Sequence, residues 1–272
     1  MKTFLGIMLL GGLCAMPMNA SAWEANYDEA KVPAYELPDL LIMADGTPVA
    51  DALAWRKIRR PEILRLFEEH VYGKAPVDCP APTFEIVEED ASALGGKATR
   101  RQVAVYLAGQ TDGPRMDLLI YLPNDVLRPT PLFVGLNFYG NHTIHDDPAI
   151  LITKSWVRNS EEFGITDNRA TEASRGVRKN RWPVEMILER GYGLATAYYG
   201  DIEPDDASLF DQSIRKHLLP AGQDAPAPGE WGAIGAWAWG LSRAMDYFQT
   251  DKDIDCARVA VMGHSRLGKT AL

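Results

Sequence analysis

Hydrophobic and polar positions divide the chain into a leader, an arm, and alternating strand and helix patterns. Lys2 precedes an apolar run from Phe4 to Met18, which Ala20-Ser21-Ala22 closes. Positive start, apolar stretch and small-residue site in that order read as a secretory signal peptide over residues 1–22, cleaved near Ala22. The run is too short to cross a bilayer comfortably, and a buried N-terminal helix is the alternative. Lipidation at Cys14 ranks low because bulky Leu13 precedes it. Residues 23–48, rich in Pro, Asp and Tyr, read as an extended arm. Residues 49–71 read as helical with an interruption at Pro61, which suits a first helical turn, and Ile63, Phe67 and Val71 recur on one face. Tyr72-Gly73-Lys74-Ala75-Pro76 ends that helix.

Strand patterns follow at residues 83–88 and 101–108, then a turn over Gln110 to Pro114 and a return strand from Met116 to Leu122. Pro131–Asn137 is an apolar strand, and residues 141–181 are loop-rich. Pro183–Arg190 fits a helix stopped by Gly191, and Leu194–Tyr199 fits a buried strand. After a long loop over residues 201–230, Gly232–Gln249 is a helix with Trp237, Leu241, Met245 and Phe248 on one face. Val259–Met262 is a short strand, and a helix begins near Arg266. From residue 131 onward strands and helices alternate. That order predicts an α/β fold, a mostly parallel sheet with helices on both faces, in one domain over residues 23–272.

Composition narrows the function. The 272 residues are 46% apolar and 24% charged, an ordinary globular balance. Lys and Arg number 28 against 37 Asp and Glu, so no basic excess exists to hold a nucleic acid backbone. Outside the leader no segment is long and apolar enough to span a membrane. Cys79 and Cys256 remain once the leader is gone, and two free thiols are the expectation.

The chemistry concentrates in Val259-Ala260-Val261-Met262-Gly263-His264-Ser265-Arg266-Leu267-Gly268-Lys269, where an apolar strand runs into Gly-x-Ser and then a helix. A sharp turn of this kind lifts a serine hydroxyl above a sheet, beside backbone N–H groups able to hold an oxyanion. A helix-capping Ser is the alternative. The common motif has Gly two residues after Ser, where this chain has Leu267, with Gly268 one later.

Gly263-His264-Ser265-Arg266-Leu267-Gly268-Lys269 resembles the signature of the glucuronoyl esterases, carbohydrate esterase family fifteen. Arg59-Arg60-Pro61-Glu62-Ile63, Val71-Tyr72-Gly73, Asn137-Phe138-Tyr139-Gly140-Asn141-His142, Arg181-Trp182-Pro183, Gly191-Tyr192-Gly193, Tyr199-Gly200-Asp201-Ile202 and the run Gly235 to Ala244 extend the likeness. The resemblance implies an α/β-hydrolase fold and a serine esterase cleaving (4-O-methyl-)glucuronate esters between xylan and lignin alcohols through an acyl-enzyme. It implies Ser265 as nucleophile, Arg266 in the oxyanion hole by backbone and guanidinium, and Lys269 on sugar hydroxyls. It implies no cofactor and no metal. Glucuronoxylan or a lignin–carbohydrate ester is the expected partner, outside the cell or in the periplasm. Many family members carry a disulfide-bonded Cys before the nucleophile; His264 stands there, and it is not expected to be the base.

In this fold the triad runs Ser, carboxylate, His, and no Asp, Glu or His follows Ser265. The expectation is a chain truncated at its C-terminus just after the nucleophile elbow, holding the N-terminal portion of an esterase. An acetyl-xylan esterase, or an inactive fragment, is the competing reading. Elsewhere Asn137-Phe138-Tyr139-Gly140 is a candidate second oxyanion loop. His142, His145, Asp146 and Asp147 match no strong zinc spacing. Arg175, Arg178 and Arg181 read as a charged loop, with a uronate-recognising edge the alternative; Asp201, Glu203, Asp205 and Asp206 read as caps of the next segment, with acid/base work the alternative; and Trp237 and Trp239 read as core rather than as a sugar-stacking surface.

Overall fold

The computed structural model describes residues 25–272, so the expected leader over residues 1–22 lies outside the described residues. Six strands form one sheet: β1 (Thr83–Ala93), β2 (Ala98–Tyr106), β3 (Arg115–Pro123), β4 (Thr130–Asn137), β5 (Gly193–Tyr198) and β6 (Ile254–Val261), in the order β1-β2-β3-β5-β4-β6. Only half of it is parallel. β5 and β6 flank β4 in parallel, as the alternating pattern after residue 130 requires. β1, β2, β3 and β5 pair antiparallel in succession, which corrects the expectation of a mostly parallel sheet. The reason is the connections. Short turns join β1 to β2 and β2 to β3, which permits only antiparallel neighbours there, and β3 then meets β5 antiparallel through a long connection.

The first hairpin is longer than its hydrophobic pattern, because charged residues occupy the buried strand β2. Arg100 donates to Glu88 on β1 at 2.7 Å and to Asp147 at 2.6 Å, and Tyr121 adds its hydroxyl to Asp147 at 2.6 Å. Arg101 bonds Glu89, Asp251 and Asp253. Pairing is what lets such groups be buried at all.

Alternation along β3 feeds two cores. Leu118, Ile120 and Leu122 join Ile214 of α4 (Ile214–His217) and Trp237, Leu241 and Phe248 of α5 (Ala233–Phe248). Leu119 and Tyr121 point the other way, to Val184 and Leu188 of α3 (Val184–Glu189). Helices therefore cover both faces, and Trp237 and Trp239 are core residues.

Residues 52–72 are helical throughout: α1 (Ala52–Ala54), a π turn (Trp55–Arg59), α2 (Arg60–Phe67) and a second π turn (Glu68–Tyr72). The expected interruption at Pro61 is absent. Pro61 falls at the start of α2, directly after the wider π turn, where its missing N–H and its ring are accommodated. Buried Arg59 ties the arm to this helix through the Leu40 carbonyl at 3.1 Å and Glu62 at 3.2 Å. Cys79 and Cys256 are free thiols.

Candidate active site

β6 leaves the sheet as Met262 N–H bonds the Val134 carbonyl of β4 at 2.8 Å. The chain then turns through Gly263 and His264 into α6 (Arg266–Ala271). Gly263 lies against the Leu267 carbonyl and the Gly268 Cα, so any side chain at position 263 would collide with backbone. Ser265 holds φ 54° and ψ −128°, a conformation that costs a non-glycine residue about 1–3 kcal/mol. It stands at the N-cap position, yet its hydroxyl makes no capping bond; its carbonyl accepts from Gly268 N–H at 2.9 Å and Lys269 N–H at 3.1 Å. The helix therefore begins without using the Ser265 hydroxyl.

Arg266 reaches back across the sheet to form an ion pair with Asp205. The same Asp205 oxygen lies 3.5 Å from the Arg158 guanidinium and 3.4 Å from the Tyr199 hydroxyl. Lys269 is exposed and has no ion-pair partner among the described residues. His264 lies edge-on to Phe138, with ring centres 6.5 Å apart.

The loop after β5 carries carboxylates with separate tasks. Asp201 accepts from the Ser155 hydroxyl at 2.6 Å and the Thr153 hydroxyl at 3.0 Å. Burial, followed by the nearby Asp117 charge, pushes its pKa up to about 7. Glu203 is buried against Arg215 at 2.6 Å and the Ser213 hydroxyl, and its carbonyl takes the Trp237 indole N–H at 2.9 Å. Asp206 caps the following turn through Ser208 N–H at 2.9 Å. Of these four, only Asp206 does the capping expected of the group, and Asp205 faces the elbow instead.

After β4, Asn137 accepts from Gly140 N–H at 2.8 Å and donates to Asn141 at 2.7 Å. Gly140 holds φ 102° against the His142 ring and Thr153. His142 is buried, bonded to the Ser174 hydroxyl at 2.8 Å, and its pKa is lowered to about 4 by burial and by the Arg175 charge. His145 bonds Glu185 at 2.9 Å, Asp146 bonds Lys179, and Asp147 bonds Arg100, so these four face different partners. A cavity of about 250 Å³ opens between Phe138, Tyr139, Trp182, Arg178, Arg181 and His264. Arg178 lies over the Tyr139 and Phe163 rings at 5.8 and 5.1 Å. Arg175 is spent on backbone carbonyls and Glu172.

The family model "Glucuronyl esterase, fungi" matches residues 227–272, from the lead into α5 through the elbow. A curated relative, carbohydrate esterase MZ0003 from an unknown prokaryotic organism, is 52% identical over 250 residues, covering 91% of this chain. Across about nine-tenths of its length the chain is similar to esterases of this kind. Solved structures agree. The glucuronoyl esterase from Solibacter usitatus superposes with a TM-score of 0.82 at 49% identity over 89% of this chain. A promiscuous CE15 esterase from the marine bacterial metagenome gives 0.80 at 51% identity over 90%. The fold is that of the α/β hydrolases. The chain spans about three-fifths of these relatives, 57% of the curated protein and 61% of each structure.

The structure brings Ser265, Arg266 and Lys269 together, as any three positions on one turn must be. It adds Asp205 and Arg158, which the sequence reading did not place at the elbow. Asp205 stood among four clustered carboxylates with nothing to distinguish it. Arg158 stood in a loop whose path no periodicity predicts.

Proposed function

We propose that the protein carrying this chain is a serine carboxylic ester hydrolase acting on esters of (4-O-methyl-)glucuronate, with Ser265 as the nucleophile. The observation that carries the reading is the strained Ser265 backbone on a strand-to-helix turn, its hydroxyl free of any capping duty. Strain of this kind persists only where the surrounding structure enforces it, and it characterises turns that present a nucleophile.

Ser265 Oγ attacks the ester carbonyl, the alcohol leaves, and water releases the glucuronate from the acyl-enzyme. Charge building on the carbonyl oxygen is met by the Arg266 backbone N–H, which has no helical partner at the first turn. The Arg266 guanidinium adds a charge that stays on at working pH. Lys269, exposed one turn along the same helix, holds sugar hydroxyls. The base and acid that serve Ser265 follow it in chain order in this fold, and the proposal assigns them to the stretch of the relatives that this chain does not cover. The substrate is glucuronoxylan or a lignin–carbohydrate ester, met after secretion. No described helix is long and apolar enough to cross a membrane.

Steady-state hydrolysis by the full-length protein tests the reading. The proposal expects turnover of methyl or benzyl glucuronate, lost in Ser265→Ala, and little release of acetate from acetylated xylan. Preference for acetyl esters would contradict the substrate assignment.

A further inference from the structure

We infer that Asp205 is a positioning residue that fixes the Arg266 guanidinium beside the nucleophile, and that Arg158 keeps the resulting charge cluster positive. The inference rests on the reading of Arg266 as an oxyanion donor.

Arg266 needs such a partner. Its side chain is 41% exposed, and Asp205 is its ion-pair partner among the described residues. An arginine left free on a surface samples many rotamers, and fixing it costs that side-chain entropy. A donor stabilises a transition state best when it is already in place. Asp205 supplies that fixity because its own loop is locked from beneath. Ile202 is buried, and Glu203 is held by Arg215, Ser213 and the Trp237 indole. Tyr199 packs edge-on against Trp237 at 4.9 Å and Phe138 at 5.6 Å, and brings its hydroxyl to Asp205. The loop thus anchors inward at positions 202 and 203 and presents its carboxylate outward at position 205.

A carboxylate beside an oxyanion site carries an electrostatic cost, since it offsets the charge that Arg266 brings. Arg158 removes it. Its guanidinium lies 3.5 Å from the Asp205 oxygen that also binds Arg266. Two guanidinium groups on one carboxylate leave one net positive charge facing the elbow. Arg158 is 61% exposed, so it adds charge without closing the site.

The test is a double-mutant cycle on the full-length enzyme with methyl glucuronate. Asp205→Asn keeps the shape and removes the charge. The expected result is a kcat about ten- to a hundredfold lower with KM little changed, the order of loss that a misplaced group produces. Asp205→Glu should recover part of the rate. In an Arg266→Ala background, Asp205→Asn should cause no further loss, because the group it positions is gone. Melting temperature should barely move, as a partly exposed ion pair contributes little to stability. Arg266→Ala lowering kcat while Asp205→Asn leaves it at the wild-type value overturns the inference and keeps the oxyanion reading. Multiplicative losses in the double variant also overturn it, since Asp205 would then act independently of Arg266. An Arg266→Ala enzyme with unchanged kcat overturns both.

Discussion

Arg266 is an unusual neighbour for the proposed nucleophile in an acidic chain, and its side chain is the part that a substitution can probe. The backbone N–H survives any replacement except proline. An oxyanion donor accounts for roughly 100- to 1000-fold in rate, so Arg266→Ala should lower kcat by about that factor with KM nearly constant. Lys269→Ala should act mainly on KM, because hydroxyl contacts persist in ground and transition states alike. Kinetics on methyl glucuronate separate the two. A raised KM with intact kcat in Arg266→Ala would make Arg266 a substrate-binding residue. The sequence made this trio legible because strand, glycine, serine and helix follow each other in eleven consecutive residues, Val259 to Lys269. Asp205 was not legible. It lies 61 positions from Arg266, and only the parallel neighbours β5, β4 and β6 bring the two loops together.

At the scale of elements, strands with an apolar signature were readable and the charged one only from Arg101 onward. β4 and β5 announce themselves by unbroken hydrophobic runs, whereas β2 buries Thr99, Arg100, Arg101 and Gln102 and hides its first half. The helix of residues 52–72 was readable in extent, but Pro61 misled because a π turn is invisible in side-chain spacing. The end of β5 makes a pH prediction. Asp201 lies beside Asp117, and desolvation followed by the Asp117 charge raises its pKa from 3.8 to about 7. Folded protein then holds a proton that unfolded protein releases, so this group's contribution to stability falls as pH rises from about 4 to about 7 and is level above that. Asp201→Asn, which needs no proton, should flatten that part of the curve. Melting temperatures of wild type and Asp201→Asn across that range check it, and parallel curves would place the charge elsewhere.

For the whole molecule, packing is uneven. The two cores are buried, while the helix of residues 52–72 exposes Leu53, Ile58, Leu64, Leu66, Phe67 and Val71, and the arm exposes Leu37, Leu40 and Leu41. β6 pairs only with β4 among the described strands, leaving an edge where Val261 is exposed. Apolar surface of that extent and an unpaired parallel edge favour association. Residues 25–272 expressed alone should therefore be poorly soluble and melt over a broad range, as light scattering and calorimetry would show. A sharp two-state melt of a monomer would mean that these surfaces are covered within residues 25–272. Sequence pattern could not foresee this unevenness, because the exposed helix has the same amphipathic spacing as a buried one.

The central claim is that Ser265 is the nucleophile, and covalent labelling tests it most directly. The full-length protein, treated with a fluorophosphonate probe and digested, should carry the label on the peptide containing Ser265, at a rate lowered by competing methyl glucuronate. Ser265→Ala should carry none. A label on another serine, or undiminished ester hydrolysis by Ser265→Ala, would contradict the account.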